Sequence, residues 1–204
     1  MTVTMCGSGQ PPRTGLSRIM TLGGSPPPNG VGELADVWDG VVMAERARSY
    51  SWEDPADLAR AGTQMSGLEY LRAMQAGGLP HPPICATVGF RFVGFDEGRA
   101  VMELEPGEHQ YNPIGTVHGG VIVTLLDSVA GSAVHTTLPP GVGYTTVGIN
   151  TTFLRAVRGD TGTLRAEGRL IRAGRRVALA EAELTDADGN LYAHATSNCL
   201  IIAP

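Results

Sequence analysis

The chain has 204 residues, 42% of them apolar, and a formal charge of −5, which suits one domain with a real core plus a tail and gives no broad electrostatic grip on nucleic acid or an anionic membrane. Every basic residue is arginine, and seven of them, from Arg155 to Arg176, crowd one C-terminal region that could face a polyanionic small molecule. Cys6, Cys85 and Cys199 are odd in number and far apart, so neither a disulfide framework nor a zinc site is indicated, and a cytoplasmic location fits.

Residues 1–48 read as an extension, because "GSGQPPRTG" and "GGSPPPNGVG" are too rich in Gly and Pro to build a core. The "ELADVWDGVVMAERARSY" that follows holds at most a short helix, Met43 is a candidate start, and the first residues lack the apolar run of a secretory signal. The domain is expected over 49–204, with its body beginning near Ser51.

The first element is a helix over "SGLEYLRAMQAGG", with Leu68, Leu71 and Met74 on one face and glycines at its end. From Thr87 the period becomes two. "TVGFRFV" sets Val88, Phe90 and Phe92 on one face, "FDEG" turns, and "RAVMELE" alternates Ala100, Met102 and Leu104 with charged neighbours, as in an antiparallel hairpin. The loop "NPIGTVHGG" then leads into a long apolar helix that runs to about Leu138 and closes on "PPG". Its apolar run, Val121 to Val134, is too short to cross a bilayer and carries Asp127.

Four further strands follow, "YTTVGINTTFL", "GTLRAEGRLIR", "RRVALAEAELT" and "LYAHATSNCLII", separated by turn compositions. A helix apolar on every side must be enclosed on most sides, and an antiparallel sheet is the only remaining element large enough to do it. The expected fold is α+β, a curved six-stranded antiparallel sheet wrapped around one long central helix.

Asp127 is the only charged side chain in that helix, and burying a carboxylate is costly unless a partner or a chemical role compensates. It is either paired or on an exposed stripe, or it is catalytic. His118, Gly119 and Gly120 stand where the helix should begin, so their amides are expected to point out unsatisfied at the positive end of the helix dipole. Two glycines leave no Cβ in the way of an acyl carbonyl approaching those amides as it would an oxyanion hole, although a tight loop-to-helix junction also calls for glycine. Asp127 lies nine positions after His118, roughly 13 Å along a helix, too far for both to touch one carbonyl. If both act on one substrate, the aspartate comes from a second subunit whose helix runs antiparallel across a two-fold axis, which makes a dimer with two shared sites. His109, His118, His135 and His194 show no metal-ligand spacing, and no metal is expected.

"NPIGTVHGGVIVTLLDSVAG", followed by "TTVGINTTFLRAVRGDTGTLRAEGRLIRAGRRVALAEAEL", resembles the hotdog-fold acyl-CoA thioesterases of the phenylacetate-degradation (PaaI-like) type, over roughly residues 51–202. The resemblance implies hydrolysis of a thioester bond to coenzyme A, with coenzyme A as part of the substrate and no separate cofactor. It also implies dimers joined edge to edge, often paired further into tetramers. By the same resemblance Asp127 is the catalytic carboxylate, acting as general base or nucleophile, and Gly119 and Gly120 supply the amides that bind the thioester carbonyl. Asn112 helps hold the water or thioester, His118 supports the loop, and Thr146, or else Thr145, stands beside the carboxylate. Arg155, Arg175 and Arg176, at strand ends or in turns, could meet the coenzyme A phosphates. Arg165 and Arg169, with Glu167 between them, read instead as a solvated face with cross-strand pairs.

Acyl-thioester hydration would want a catalytic histidine and acid paired differently, and no such signature is present. A non-catalytic acyl-CoA binding or sensing protein is a second alternative; Asn112 and Asp127 argue against it, and no DNA-binding helix-turn-helix is evident. A purely structural dimer is the last, and it leaves Asp127 unexplained. Aryl and medium-chain acyl groups are both open.

Overall fold

The computed structural model describes residues 46–203. The expected Gly/Pro-rich extension, its short helix and Met43 fall, apart from the last few positions, outside the described residues. From Tyr50 onward the chain is one contact unit.

Two helices open it. α1 (Pro55–Gly62) starts with proline in its first turn and is capped by Asp54, whose carboxylate accepts from the Ala56 N–H at 2.9 Å. α2 (Gly67–Gln75) carries a reciprocal Ser66–Glu69 capping box and buries Leu71 and Met74, with Leu68 packed at the margin. α1 is too short to announce itself by periodicity, and only α2 was expected. A third helix corrects the reading of Val88. That residue ends α3 (Pro83–Val88) instead of opening a strand, because Pro83 presets the first turn and Gly89, at φ +96°, reverses the chain into β1.

β1 (Phe90–Asp96) and β2 (Arg99–Leu104) form the expected hairpin, with Phe90 opposite Leu104 and Phe92 opposite Met102. The long helix follows as α4 (Gly119–His135), then β3 (Gly143–Phe153), β4 (Leu164–Ala173), β5 (Val177–Thr185) and β6 (Leu191–Ile202). The six strands make one antiparallel sheet in the order β1-β2-β4-β5-β6-β3, which leaves β1 and β3 as its edges.

α4 lies on one face of this sheet. Leu125, Leu126, Val129, Ala130 and Ala133 are fully buried against strand positions that are largely alanine, among them Ala166, Ala180, Ala182 and Ala195. Small residues on both sides draw the backbones together, and at Gly168 of β4 an added Cβ would stand 2.3 Å from the Val129 carbonyl oxygen. Each buried leucine contributes about 1.5–3 kcal/mol here.

Enclosure on most sides does not hold along the whole helix. The sheet is a single layer, and the opposite stripe of Gly120, Thr124, Asp127 and Ser128 stays exposed or half-buried. Thr124 and Ser128 tolerate this because each hydroxyl donates to a carbonyl four residues back, those of Gly120 (2.8 Å) and Thr124 (2.7 Å). The C-terminal part of α4 is covered a second time. The Gly67 N–H donates to the Leu138 carbonyl at 3.0 Å, and Tyr144 of β3 lies over Gly131, where a Cβ would meet its phenol oxygen at 2.7 Å.

Candidate active site

The N-terminus of α4 is held by its own cap. His118 sits in extended conformation, and its ring Nδ1 accepts the Gly120 N–H at 2.9 Å. This corrects the expectation of three open amides, since the histidine ring folds back onto that of Gly120 and the His118 N–H donates to the Gln110 carbonyl at 2.8 Å. The Gly119 N–H has no partner among the described residues. Gly119 lines a cleft of about 390 Å³ together with Asn112, Ile122, Phe153 and Arg155. The Phe153 ring packs so closely that a Cβ at Gly119 would stand 3.2 Å from its Cζ. Glycine here answers a close approach as well as an open donor.

Asn112 borders the same cleft, but its side chain is spent on the loop. Its carbonyl oxygen accepts from the amides of Ile114 (3.0 Å) and Thr116 (3.2 Å), and its amide group donates to the Thr116 hydroxyl (2.9 Å). It organises the turn before the helix, which the Tyr111–Val117 bridge pins at its base.

Asp127 is the midpoint of α4 and is half-buried on the open stripe. Its Oδ1 accepts from the Thr146 hydroxyl at 2.8 Å, and it forms no ion pair among the described residues. Thr146 and Tyr144 share the inward face of β3, whereas Thr145 is exposed, so strand alternation selects between the two threonines. The groups around the carboxylate are kept protonated. Burial pushes the Tyr144 phenol far up, with Cys199 and Asp127 adding to it, and burial likewise raises the Cys199 thiol, with the Asp127 charge adding.

Gly119 and Asp127 are eight residues apart on one rod, about 12 Å. One protomer therefore carries two half-sites: an open amide in a cleft, and an oriented carboxylate on a half-exposed stripe. Among the described residues no three His, Cys, Asp or Glu side chains converge as metal ligands.

The three candidate phosphate-binding arginines do not meet in one protomer. Arg155 lines the Gly119 cleft, just past Phe153, which pairs with Ala193. Arg175 and Arg176 stand exposed in the β4–β5 turn, and the Arg176 carbonyl accepts from Ile201, which pairs with Tyr144 at the other end of β3. At about 3.4 Å per residue the length of β3 separates them by roughly 30 Å. Arg165 and Arg169 form the expected charged face: Arg99 grips Glu167 through two nitrogens at 2.8 and 3.0 Å, Arg169 also pairs with Glu167, and Arg165 reaches Glu103 at 3.6 Å.

The residues beside the carboxylate that the sequence reading did not single out are Tyr144, Ser128 and Cys199. The first two carried a signal: Tyr144 is two positions before Thr146 on a strand, and Ser128 follows Asp127 and opens a serine pair with Ser132 at helical spacing.

The model of the thioesterase superfamily matches residues 114–193, a span that holds both Gly119 and Asp127. The 1,4-dihydroxy-2-naphthoyl-CoA hydrolase of Listeria monocytogenes is 30% identical over 100 residues, 49% of this chain and 80% of that protein. The chain belongs to the thioesterase superfamily. Among solved superfamily structures, a phenylacetic acid degradation-related protein from Ralstonia eutropha is similar at 34% identity and a TM-score of 0.59, covering 64% of this chain and 98% of that one. A Streptococcus mutans protein solved with acetyl-CoA bound is similar at 26% identity and a TM-score of 0.52, covering 56% and 89%. The hotdog architecture and the PaaI-like resemblance are thus both upheld. No described helix is long and apolar enough to cross a membrane.

Proposed function

We propose that this chain is an acyl-CoA thioesterase acting as a homodimer with two shared sites. The observation that carries the reading is the division of the site: a Thr146-oriented carboxylate at mid-helix and a Gly119 amide about 12 Å away on the same rod, the first without an ion pair and the second without a partner among the described residues. Two such rods side by side and antiparallel set each carboxylate against the other's amide.

The face needed for this is present. β3 is an edge strand of eleven residues, with Val147 60% exposed and Phe153 50% exposed, and it borders the open stripe of α4. Pairing two β3 edges antiparallel covers both. The same pairing carries Arg155 of one protomer to the sheet end that bears Arg175 and Arg176 in its twin, so that a phosphate-binding cluster forms only between subunits. The acetyl-CoA bound to the Streptococcus mutans relative and the acyl-CoA named for the Listeria one support a coenzyme A thioester as substrate.

In the reaction, Asp127 takes a proton from water, and the hydroxide oxygen adds to the thioester carbonyl carbon. The resulting oxyanion accepts the Gly119 N–H of the other protomer, at the positive end of α4. Collapse breaks the carbon–sulfur bond, and the proton held by Asp127 passes to the departing sulfur, giving free acid and coenzyme A. Thr146 orients the carboxylate, His118 locks the Gly120 amide so that the tip stays rigid, and Asn112 fixes the approach loop. The protein is proposed to work in the cytoplasm, with residues 1–48 outside the chemistry and a dimer of dimers as the larger assembly.

The test follows free thiol from a panel of aryl and fatty acyl-CoA thioesters. Wild type is expected to release thiol and Asp127→Asn to lose about 10²–10⁴-fold in turnover while remaining folded and dimeric. Tight binding with no thiol release by wild type would overturn hydrolysis in favour of an acyl-CoA sensor.

A further inference from the structure

A largely apolar pocket begins one residue beyond the carboxylate. It measures about 320 Å³ and lies between α2, α3, the β1–β2 hairpin and the outer side of α4. Leu71, Met74, Cys85, Phe90, Phe92 and Met102 supply its apolar wall, and Ser128, next to Asp127, stands on its rim. Among the described residues no carboxylate or arginine lines it, and burial holds His135 toward its neutral form. Ser132 lines it too, only 6% exposed, and its hydroxyl has no hydrogen-bond partner among the described residues.

The far end of this cavity is made of three rings. His135 stands between Tyr70 and Tyr144, with centroids 5.6 and 5.4 Å away. Tyr70 is tethered by its hydroxyl to the Leu58 carbonyl at 3.1 Å, and Tyr144 reaches its place because position 131 has no Cβ. Behind these rings lies a second cavity of about 530 Å³, lined by the same three residues and by Gly62, Gly141 and Ile202. The three rings are therefore a partition between two spaces.

Resting on the thioesterase reading, we propose that the protomer supplying Asp127 also seats the acyl group, in the cavity between α2, α3 and α4, and that the Tyr70–His135–Tyr144 partition sets the longest acyl group accepted. The preferred substrates are thioesters of uncharged, compact acyl groups. Dicarboxylic acyl groups are rejected, because no cation in the wall can pair a second carboxylate.

The experiment measures two length profiles, from acetyl to tetradecanoyl. One is the affinity for S-alkyl-CoA thioethers, which cannot be hydrolysed, and the other is kcat/KM for the matching acyl-CoA thioesters. Tyr70→Ala removes one panel of the partition, Tyr70→Phe removes only the tether, and Met74→Trp fills the cavity from its side. Wild-type affinity is expected to rise with length and then fall sharply, Tyr70→Ala to move the fall by about four carbons, and Met74→Trp to shorten it. Should Tyr70→Ala fail to fold, Met74→Trp decides alone. Shifted thioether binding without thiol release by any variant would uphold the cavity while refuting the thioesterase reading. A folded Tyr70→Ala or Met74→Trp with the wild-type profile, or no thioether binding at all, would overturn the proposal.

Discussion

The two sides of α4 are built from neighbouring residues of one helix, yet they are specified by different forces. On the sheet side, Leu125, Leu126, Val129, Ala130 and Ala133 are held by contact alone, with no exposure. On the far side, Thr124, Asp127 and Ser128 are half-buried and held by hydrogen bonds, two to the helix's own carbonyls and one to a strand hydroxyl. Packing leaves no group free to react, whereas the hydrogen-bonded side orients a carboxylate and still leaves it open. Changes on the sheet side should therefore appear in stability, and changes on the far side in turnover.

The sharpest separation pairs two adjacent residues. Asp127→Asn keeps the shape and can still accept from Thr146, so the account expects about 10²–10⁴ lost in turnover with a melting curve close to wild type. Leu126→Ala should instead lose about 2–5 kcal/mol in urea titrations, with the folded fraction keeping its kcat. An intermediate effect is expected at the contact between sheet and helix. Gly168→Ala places a Cβ 2.3 Å from the Val129 carbonyl oxygen, which is backbone and cannot swing aside, for a loss of about 1–3 kcal/mol. Gly94→Ala, with nothing within 4 Å of the added Cβ, serves as the silent control.

Smaller effects belong to the far side. Thr146→Val removes the hydroxyl that orients Asp127 and should reduce kcat about tenfold, roughly 1.4 kcal/mol of barrier, with KM little changed. The smallest effect is one of pH. Burial lowers the His135 pKa below that of the unfolded chain, so the native state holds the ring neutral while the unfolded chain takes up the proton. The stability of the neutral ring is then fully present above about pH 6.5 and falls as pH drops toward the folded-state pKa. Melting temperatures measured between pH 7.5 and 5 on wild type and His135→Phe should differ in slope below about pH 6.5, with the flatter slope in the variant.

Much of the fold was legible because each element had a period of its own. The 17-residue helix, the hairpin around "FDEG" and the four later strands follow directly from apolar runs and turn residues. Val88 was not legible by alternation, because "VGFRF" fits a strand equally well, and the decision rests with Pro83 and Gly89 on either side of the short helix. In the site, Asp127 stood out as a lone charge, and the distance along a helix already separated it from Gly119. That the Gly120 amide is occupied depends on a side chain folding back, which spacing does not show. Arg155 and Arg176 both read as strand-end residues; only strand order and register reveal that they lie at opposite ends. The cavity beyond Asp127 is assembled from α2, α3, two hairpin strands and α4, and no local pattern announces it.

The most direct test of the shared site is complementation between two inactive proteins. Asp127→Asn removes the carboxylate. Gly119→Pro removes the amide proton, at the first helical position, where proline is tolerated and where His118 already has the extended conformation that precedes proline, and its Cβ requires the exposed Phe153 ring, 3.2 Å away, to give by a few tenths of an ångström. Dissociated, mixed in equal amounts and reassembled, the two give mixed dimers in half of the population, each with one intact site, so activity should return to about a quarter of wild type. A mixture that forms mixed dimers by mass yet stays as inactive as its parents would contradict the account.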